Sequence, residues 1–375
     1  MYILFRLILA GLILVLFNAN GCENSDAPTN GQPDYSDGPD SAVTYDYALQ
    51  NVAQSEVLWT GVAVSREGRI FVNYPNWWPA EHLSVAELTP EGGAAAYPDL
   101  GWNTPDAGSS PKYYFVCVQS VYIDSENYLW ILDPGQDPRY GILADAPKLL
   151  KVDLQSDRVI NRVYFDSTIA LVDSYLNDVR VDTERDYAYI TDSGLGAIVV
   201  VNLATRKSRR LLADHSSTRA SYITLSIDGR PWVRSDGSAI KVHSDGLALN
   251  PGNNYLYYQA LTSHRLYRIP TAALRDETLS AKELGARVQF VKESGASDAI
   301  EFGPDGNLYL TAIEHNAIRR LTPAGEVETL IKDKALKWPD SFAITANGDI
   351  YVTTSQVNRG TNPIGLYGLF KLVPK

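Results

Sequence analysis

The 375-residue chain is poor in the residues that carry covalent and metal chemistry: two cysteines, one methionine and five histidines. Two cysteines cannot build a disulfide scaffold, and no CxxC or Cys/His zinc spacing occurs. The histidines, His82, His215, His243, His264 and His315, are scattered without ligand-like spacing. No GxSxG elbow, HExxH helix, P-loop or GxGxxG fingerprint is present, so those enzyme classes lose their usual signature. Cations are also in deficit, with 33 Lys and Arg against 44 Asp and Glu and a net charge of −11. Nothing is left over to neutralise phosphates, which argues against nucleic acid. Apolar residues at 45% and charged residues at 21% are ordinary for a globular domain. That composition excludes wholesale disorder and a polytopic membrane protein. The length suits one large domain or two ordinary ones.

The longest apolar run, Leu7 to Phe17, follows a single positive charge at Arg6. It is too short to span a bilayer and suits the core of a signal peptide, giving a signal segment over 1–21. The run ends in Asn18-Ala19-Asn20-Gly21-Cys22, which resembles a bacterial lipoprotein signal whose cysteine becomes the lipidated N-terminus. Plain secretion with a spare cysteine is the alternative. Glu23 to Asp40 holds five acids, three prolines and no base. It cannot bury enough apolar surface to fold, so residues 22–45 are expected to form a disordered acidic tether. The chain is therefore expected to be exported, held at a bacterial envelope through lipid on Cys22 or released, with no other membrane contact. Cys117, in the run Tyr113-Tyr114-Phe115-Val116-Cys117-Val118, is expected to be a buried, inert thiol.

From residue 46 onward the pattern is repetitive and not helical. An apolar–aromatic–apolar triplet recurs just after a tight turn, with its aromatic at Phe71, Trp130, Tyr189, Tyr257, Tyr309 and Tyr351, at intervals of 59, 59, 68, 52 and 42 residues. Turn-forming pairs precede it at Glu67-Gly68, Glu126-Asn127, Asp305-Gly306 and Asn347-Gly348. They predict two-residue hairpin loops in which both residues take positive φ. Hairpins repeating at this spacing predict an all-β chain, a six-bladed β-propeller over 46–375. A weaker copy at Asp228 to Val233 leaves seven blades as the alternative; it reads better as the outer part of the third blade or as an inserted hairpin. The marker aromatics are expected in the core. The strand Gly368 to Val373 should close the ring with residues near Val57.

Eleven residues before each marker, twelve in the fourth blade, stand Thr60, Gln119, Asp178, Asp245, Asp298 and Asp340. A fixed offset in a repeat protein implies an equivalent place, here the start of each innermost strand at one end of the channel. Four aspartates drawn together repel, which raises their pKa values unless a cation lies among them. They could hold a divalent ion such as Ca²⁺ or an amine, or one could act as general base. The alternative is structural, with aspartates accepting backbone N–H bonds from adjoining loops. Three residues past the markers, Tyr74, Asp133 and Asp192 should reach the same face, and Trp77 could add an aromatic wall. No cofactor is required by this reading beyond that optional cation. The partner is a small molecule and the protein a monomer.

Five stretches carry a family resemblance. They are SREGRIFVNYPNWW (Ser65–Trp78), SVYIDSENYLWILDPG (Ser120–Gly135), PKLLKVDL (Pro147–Leu154), LNDVRVDTERDYAYITDSGLGAIVVVNL (Leu176–Leu203) and LALNPGNNYLYYQALTSHRLYRIPTAAL (Leu247–Leu274). Together they resemble the major royal jelly protein and Yellow family. From Ser297 onward only generic propeller motifs are visible. The resemblance implies a secreted six-bladed propeller with a ligand-binding channel, in a family whose members include dopachrome-converting proteins, amine binders and storage proteins. A tautomerase of that kind would use Asp178 or Asp245 as base, with Tyr74 or Gln119 as donor. The run Asp245 to Ala248 also resembles gluconolactonase-type propellers, whose metal-binding Asn and Asp would fall on Asn177 and Asp245. Their first-blade Glu is absent, because Thr60-Gly61 stands there.

Overall fold

The computed structural model describes residues 45–78 and 82–375. The expectations for the signal segment, Cys22 and most of the tether fall outside those residues. Six four-stranded antiparallel sheets follow one another along the chain. Their innermost strands are Val62–Val64, Ser120–Ile123, Leu176–Asp182, Ser244–Leu249, Ile300–Phe302 and Pro339–Ile344. This is the six-bladed propeller. The sixth blade takes its outermost strand from the start of the domain: Tyr47–Ser55 pairs antiparallel with Tyr367–Pro374. Closure therefore uses residues just upstream of Val57, and it removes the open edge that would otherwise invite pairing with another chain.

Each blade meets its neighbours through apolar side chains on the sheet faces, which is why an aromatic recurs at one strand position. Phe71, Trp130, Tyr189 and Tyr309 are buried. In the fourth blade the neighbouring Tyr258 is the fully buried ring, and Tyr257 is half-buried against Phe302. Cys117 is fully buried, and burial first, then the nearby Asp133 charge, pushes its thiol up to about 12.

The turns differ from expectation. Ser65 and Arg69 pair across Arg66-Glu67-Gly68, and only Gly68 takes positive φ, at 85°. Asn127, Gly306 and Gly348 repeat this pattern in the second, fifth and sixth blades. These are three-residue loops with one left-handed position, not two-residue loops with two. A side-chain oxygen fixes the start in the first, second and sixth blades; Asp124 Oδ1, for example, accepts from the Glu126 and Tyr128 N–H groups, both at 3.0 Å.

These tight turns all lie on one face of the ring, so the long connections gather on the other. The longest, residues 212–243, joins the third blade to the fourth and contains the weak seventh copy. That copy is a two-stranded hairpin, Ser226–Ile227 with Arg230–Pro231, separate from the third blade, whose outer strand is Lys207–Leu211. It is the inserted hairpin of the two readings. Its Leu225, Ile227, Trp232 and Ile240 bury against Leu261, Ala296, Ile313 and Trp338. The insert thus reaches from its root across to the fifth and sixth blades as a lid. Asp228 pins it, meeting Arg359 at 2.6 Å and Asn316 at 3.0 Å.

Packing between innermost strands leaves no room for a side chain at Gly246. A Cβ there would sit 2.5 Å from the backbone oxygen of Asp298 and 3.2 Å from Ile300 N. Gly246→Ala should lower unfolding free energy by about 1–3 kcal/mol, read from urea denaturation, whereas Gly229→Ala on the open lid hairpin meets no neighbour and should cost only the strain of its left-handed φ of 72°.

Candidate functional site

The lidded face carries the aspartates, and a backbone irregularity aims them. In the third blade Leu176 pairs with Asp192 and the next pair is Val179 with Ile190, so Asn177 and Asp178 together oppose Thr191. The fourth blade repeats this, with Asp245 and Gly246 opposite Gln259, and the sixth with Asp340 and Ser341 opposite Thr353. Such bulges bend a strand and re-aim one side chain. In the third, fifth and sixth blades a threonine two places past the marker holds the extra N–H group. Thr191 Oγ1 accepts from Asp178 N at 3.1 Å, Thr311 Oγ1 from Asp298 N at 3.0 Å and Thr353 Oγ1 from Ser341 N at 3.1 Å. In the first blade Asn73 Oδ1 accepts from Gly61 N at 3.0 Å. The same groups tie blades together: Thr191 Oγ1 donates to Asp245 O at 2.6 Å, and Thr353 Oγ1 to Thr60 O at 2.5 Å.

Asp178, Asp245, Asp298 and Asp340 share one environment. Asp178, Asp245 and Asp340 are 9%, 3% and 4% exposed, so water screens them little. Burial pushes Asp245 well above the ordinary carboxylate range, and the charges of Asp298, Asp178 and Asp340 push it further. Asp340 is raised well above that range for the same reasons, burial first and then Asp298. Asp298 is pushed up to about 7, chiefly by burial; hydrogen bonds from Trp338 and with Asp340 pull it back. Asp178 is raised by burial but relieved by the adjacent Arg180 guanidinium and by Ser120. Arg180 is itself buried and held by Glu301 at 2.7 Å. The ring therefore holds its protons to higher pH than exposed aspartates do.

Asn177 joins the ring, its Nδ2 donating to Asp245 Oδ1 at 2.7 Å and to Ser193 Oγ at 3.0 Å. Gln119 stands at the rim, where Tyr175 OH donates to its Oε1 at 2.7 Å. Trp77 Nε1 donates to Tyr175 OH at 2.6 Å, so Trp77 plugs this side of the mouth. Trp338 closes the lid side. Its indole N–H donates to Asp298 Oδ2 at 2.5 Å, and its ring meets Trp232 of the lid edge-on at 4.9 Å between centroids. Trp338 has φ 54°, a strained left-handed setting for so large a side chain.

Other expected positions turn inward. Thr60 Oγ1 donates to Gln119 O at 3.1 Å and accepts from Asn73 Nδ2 at 2.9 Å, serving as a tie between blades. Asp133 is fully buried against Lys148 at 2.9 Å and accepts from Val116 and Cys117 N–H. Asp192 is fully buried against Arg210 at 2.5 Å and caps Tyr175, Gly194 and Leu195. Tyr74 packs on Trp59, and its hydroxyl, pushed up to about 12 by burial, is turned toward Ser55. These four groups are committed to internal partners. Asn73, Thr191, Thr311, Thr353, Tyr175, Arg180 and Trp338 were not anticipated. The first four carried a signal, since a polar residue recurs two positions past the marker. Among the described residues no three His, Cys, Asp or Glu side chains converge as a metal-binding group.

The site is thus the polar, lidded mouth of a six-bladed propeller. The sequence model of the major royal jelly protein family matches residues 116–362, and the chain belongs to that family. The match starts after Ser65–Trp78 but runs well beyond Ser297, so the C-terminal blades carry family character that their generic motifs concealed. Major royal jelly protein 6 of Apis mellifera is 27% identical over 201 residues, 51% of this chain and 43% of the relative. Major royal jelly protein 2 of the same organism is 27% identical over 195 residues, 50% and 41% of the two chains. The alignments thus span less than half the length of these relatives. Among solved structures, a luciferin-regenerating enzyme superposes with TM-score 0.55 at 12% identity, covering 87% of this chain and 95% of the other. A gluconolactonase from Xanthomonas campestris gives 0.54 at 13%, covering 88% and 90%. The calcium-binding protein regucalcin from Agrobacterium tumefaciens gives 0.54 at 14%, covering 86% and 94%. At these identities the superpositions establish the fold.

Raised carboxylate pKa values carry a sign for stability. Below the ordinary value of 3.8 Asp298 is protonated whether folded or unfolded and contributes nothing. Between there and about 7 the unfolded chain releases the proton first, so stability falls as pH rises, and above about 7 the penalty is complete. Asp298→Asn should therefore be more stable than wild type at pH 8 by up to about 4 kcal/mol. The difference should vanish near pH 4 in paired denaturant titrations.

Proposed function

We propose that the protein is an exported propeller of the major royal jelly class that binds the cationic group of a small amine, of the catechol or indole type, within the aspartate ring. The observation carrying this reading is the electrostatic coupling of four desolvated carboxylates from consecutive blades; among the described residues the cation beside them is Arg180, already paired with Glu301. An ammonium group entering the ring would displace shared protons and relieve the mutual repulsion. Trp77 stands on one side of the mouth and Trp338 with the lid on the other, so a ligand whose cationic end enters the ring would place its own ring near those indoles. Any chemistry would be proton transfer. Asp178, the ring member whose charged form Arg180 and Ser120 favour, is the base, and the Gln119 amide NH₂ is the donor, because the Gln119 oxygen already accepts from Tyr175. Dopachrome tautomerisation is the reaction of this type to assay.

The contact between Asn177 and Asp245 favours a second reading, a divalent-cation-dependent hydrolase of the gluconolactonase kind. Calcium wants six to eight oxygens at 2.3–2.6 Å. Here the Asn177 amide presents its N–H₂ to Asp245, and among the described residues the acids do not gather into a group of three that could hold a metal. An ammonium needs only one or two hydrogen-bonded carboxylates, which is why the amine reading ranks first.

The double substitution Asp178→Asn with Asp245→Asn should abolish saturable dopamine and tryptamine binding in isothermal titration while the domain stays folded by circular dichroism. Wild-type affinity in the folded double mutant would make the ring purely structural. Separately, chelator should leave the melting temperature unchanged; a fall restored by calcium, with a lactonase rate that follows it, would move the hydrolase reading ahead.

A further inference from the structure

A second concave feature lies outside the ring, where the root of the lid meets the fourth blade. It encloses about 850 Å³. In a chain of net charge −11 its lining is unusual: Arg219, Lys241, Arg265, His243 and His264 face it, with Glu293 the one acid. Three of the basic groups have partners. Arg219 is paired with Asp214, Arg265 lies 3.6 Å from Glu293, and His264 Nε2 is 2.7 Å from Glu314 behind it. Lys241 is different. Among the described residues its ammonium group makes no ion pair and instead lies 4.7 Å from the centroid of the Tyr222 ring. Tyr222 is 96% exposed, so one face of a flat aromatic surface beside a cation is open to solvent.

His243 adds a donor. Its Nδ1 accepts from Ala220 N–H at 2.9 Å, which places the ring hydrogen on Nε2. Burial, with the Arg219 and Lys241 cations, keeps this imidazole below its ordinary pKa, so the three basic side chains are within electrostatic reach of one another. The groove therefore offers one uncompensated positive charge, one neutral N–H donor and a planar wall.

We propose that this groove is a binding site for a small aromatic carboxylate, with its anionic group on Lys241 and His243 and its ring on Tyr222. A single free cation matches a monoanion better than a phosphate dianion, and the exposed ring rewards a flat ligand. The site is independent of the aspartate ring, because none of the four aspartates lines the groove.

The test is isothermal titration of the full chain with benzoate, inorganic phosphate and benzylamine. Benzoate should bind saturably and more tightly than phosphate. Lys241→Gln should weaken it about tenfold and Tyr222→Ala about threefold or more. Both residues sit at the surface, and melting curves confirm folding. The Asp178→Asn, Asp245→Asn double variant should bind benzoate as wild type does, which separates failure of this site from failure of the ring. Absence of saturable benzoate binding, unchanged affinity in both folded groove variants, or phosphate outcompeting benzoate would overturn the proposal. Benzylamine displacing benzoate would overturn it too, because the groove would then not select an anion.

Discussion

Like charges held out of water govern this molecule's mouth. Two adjacent carboxylates can both ionise only if something compensates them, and here four buried ones act on one another from consecutive blades. The ring is tolerable because Asp245, Asp298 and Asp340 hold protons more tightly than exposed aspartates do, and because Arg180 and Ser120 support Asp178. Everything nearby follows from keeping those groups in place. Bulges turn them inward, threonines satisfy the bulged amides, and the same hydroxyls cross to the next blade. A residue such as Thr191, whose hydroxyl serves both Asp178 N and Asp245 O, is therefore part of the site and part of the closure of the ring at once.

Much of this was legible before any coordinates. Six aromatic markers announced six blades, and a constant offset picked out the four aspartates, because a repeat forces equivalent residues to equivalent places. The legibility failed where the code is not periodic. Three residues past a marker, Asp133 and Asp192 occupy the right strand end but meet Lys148 and Arg210, cations on other strands of the same sheets that no spacing rule reveals. Tyr74 was misplaced for a similar reason: its loop returns the side chain to the seam beside Trp59. The turns misled because Glu-Gly and Asp-Gly pairs serve loops of two or three residues alike, and loop length is decided by how the flanking strands twist. The lid was visible as a misfit interval of 68 residues, yet its course over the fifth and sixth blades depends on tertiary contacts between Trp232 and Trp338.

Family membership and site chemistry answer different questions. The family match fixes the architecture across both halves of the chain, including blades whose sequence looked generic. It does not choose among the chemistries a propeller mouth can host, since one scaffold supports many. That choice rests on local detail: how the Asn177 amide is turned, which acids hold their protons more tightly, and where Trp77 and Trp338 stand. The strained backbone at Trp338 belongs to this set, since the indole that meets the lid is also the one that reaches Asp298.

The strand Tyr47–Ser55 has a consequence for how the chain comes to be folded. Its partner, Tyr367–Pro374, lies at the opposite end of the domain, so Tyr47 waits for Pro374 across almost all of the propeller. Contacts of such long sequence separation form late and slowly. Until they form, the sixth blade is a three-stranded sheet with a free edge and the circle is open. The blades can condense one after another, but the mouth acquires its buried, low-dielectric character only when the two ends of the domain meet, making the ring's unusual acidity a property of the finished circle and not of any blade within it.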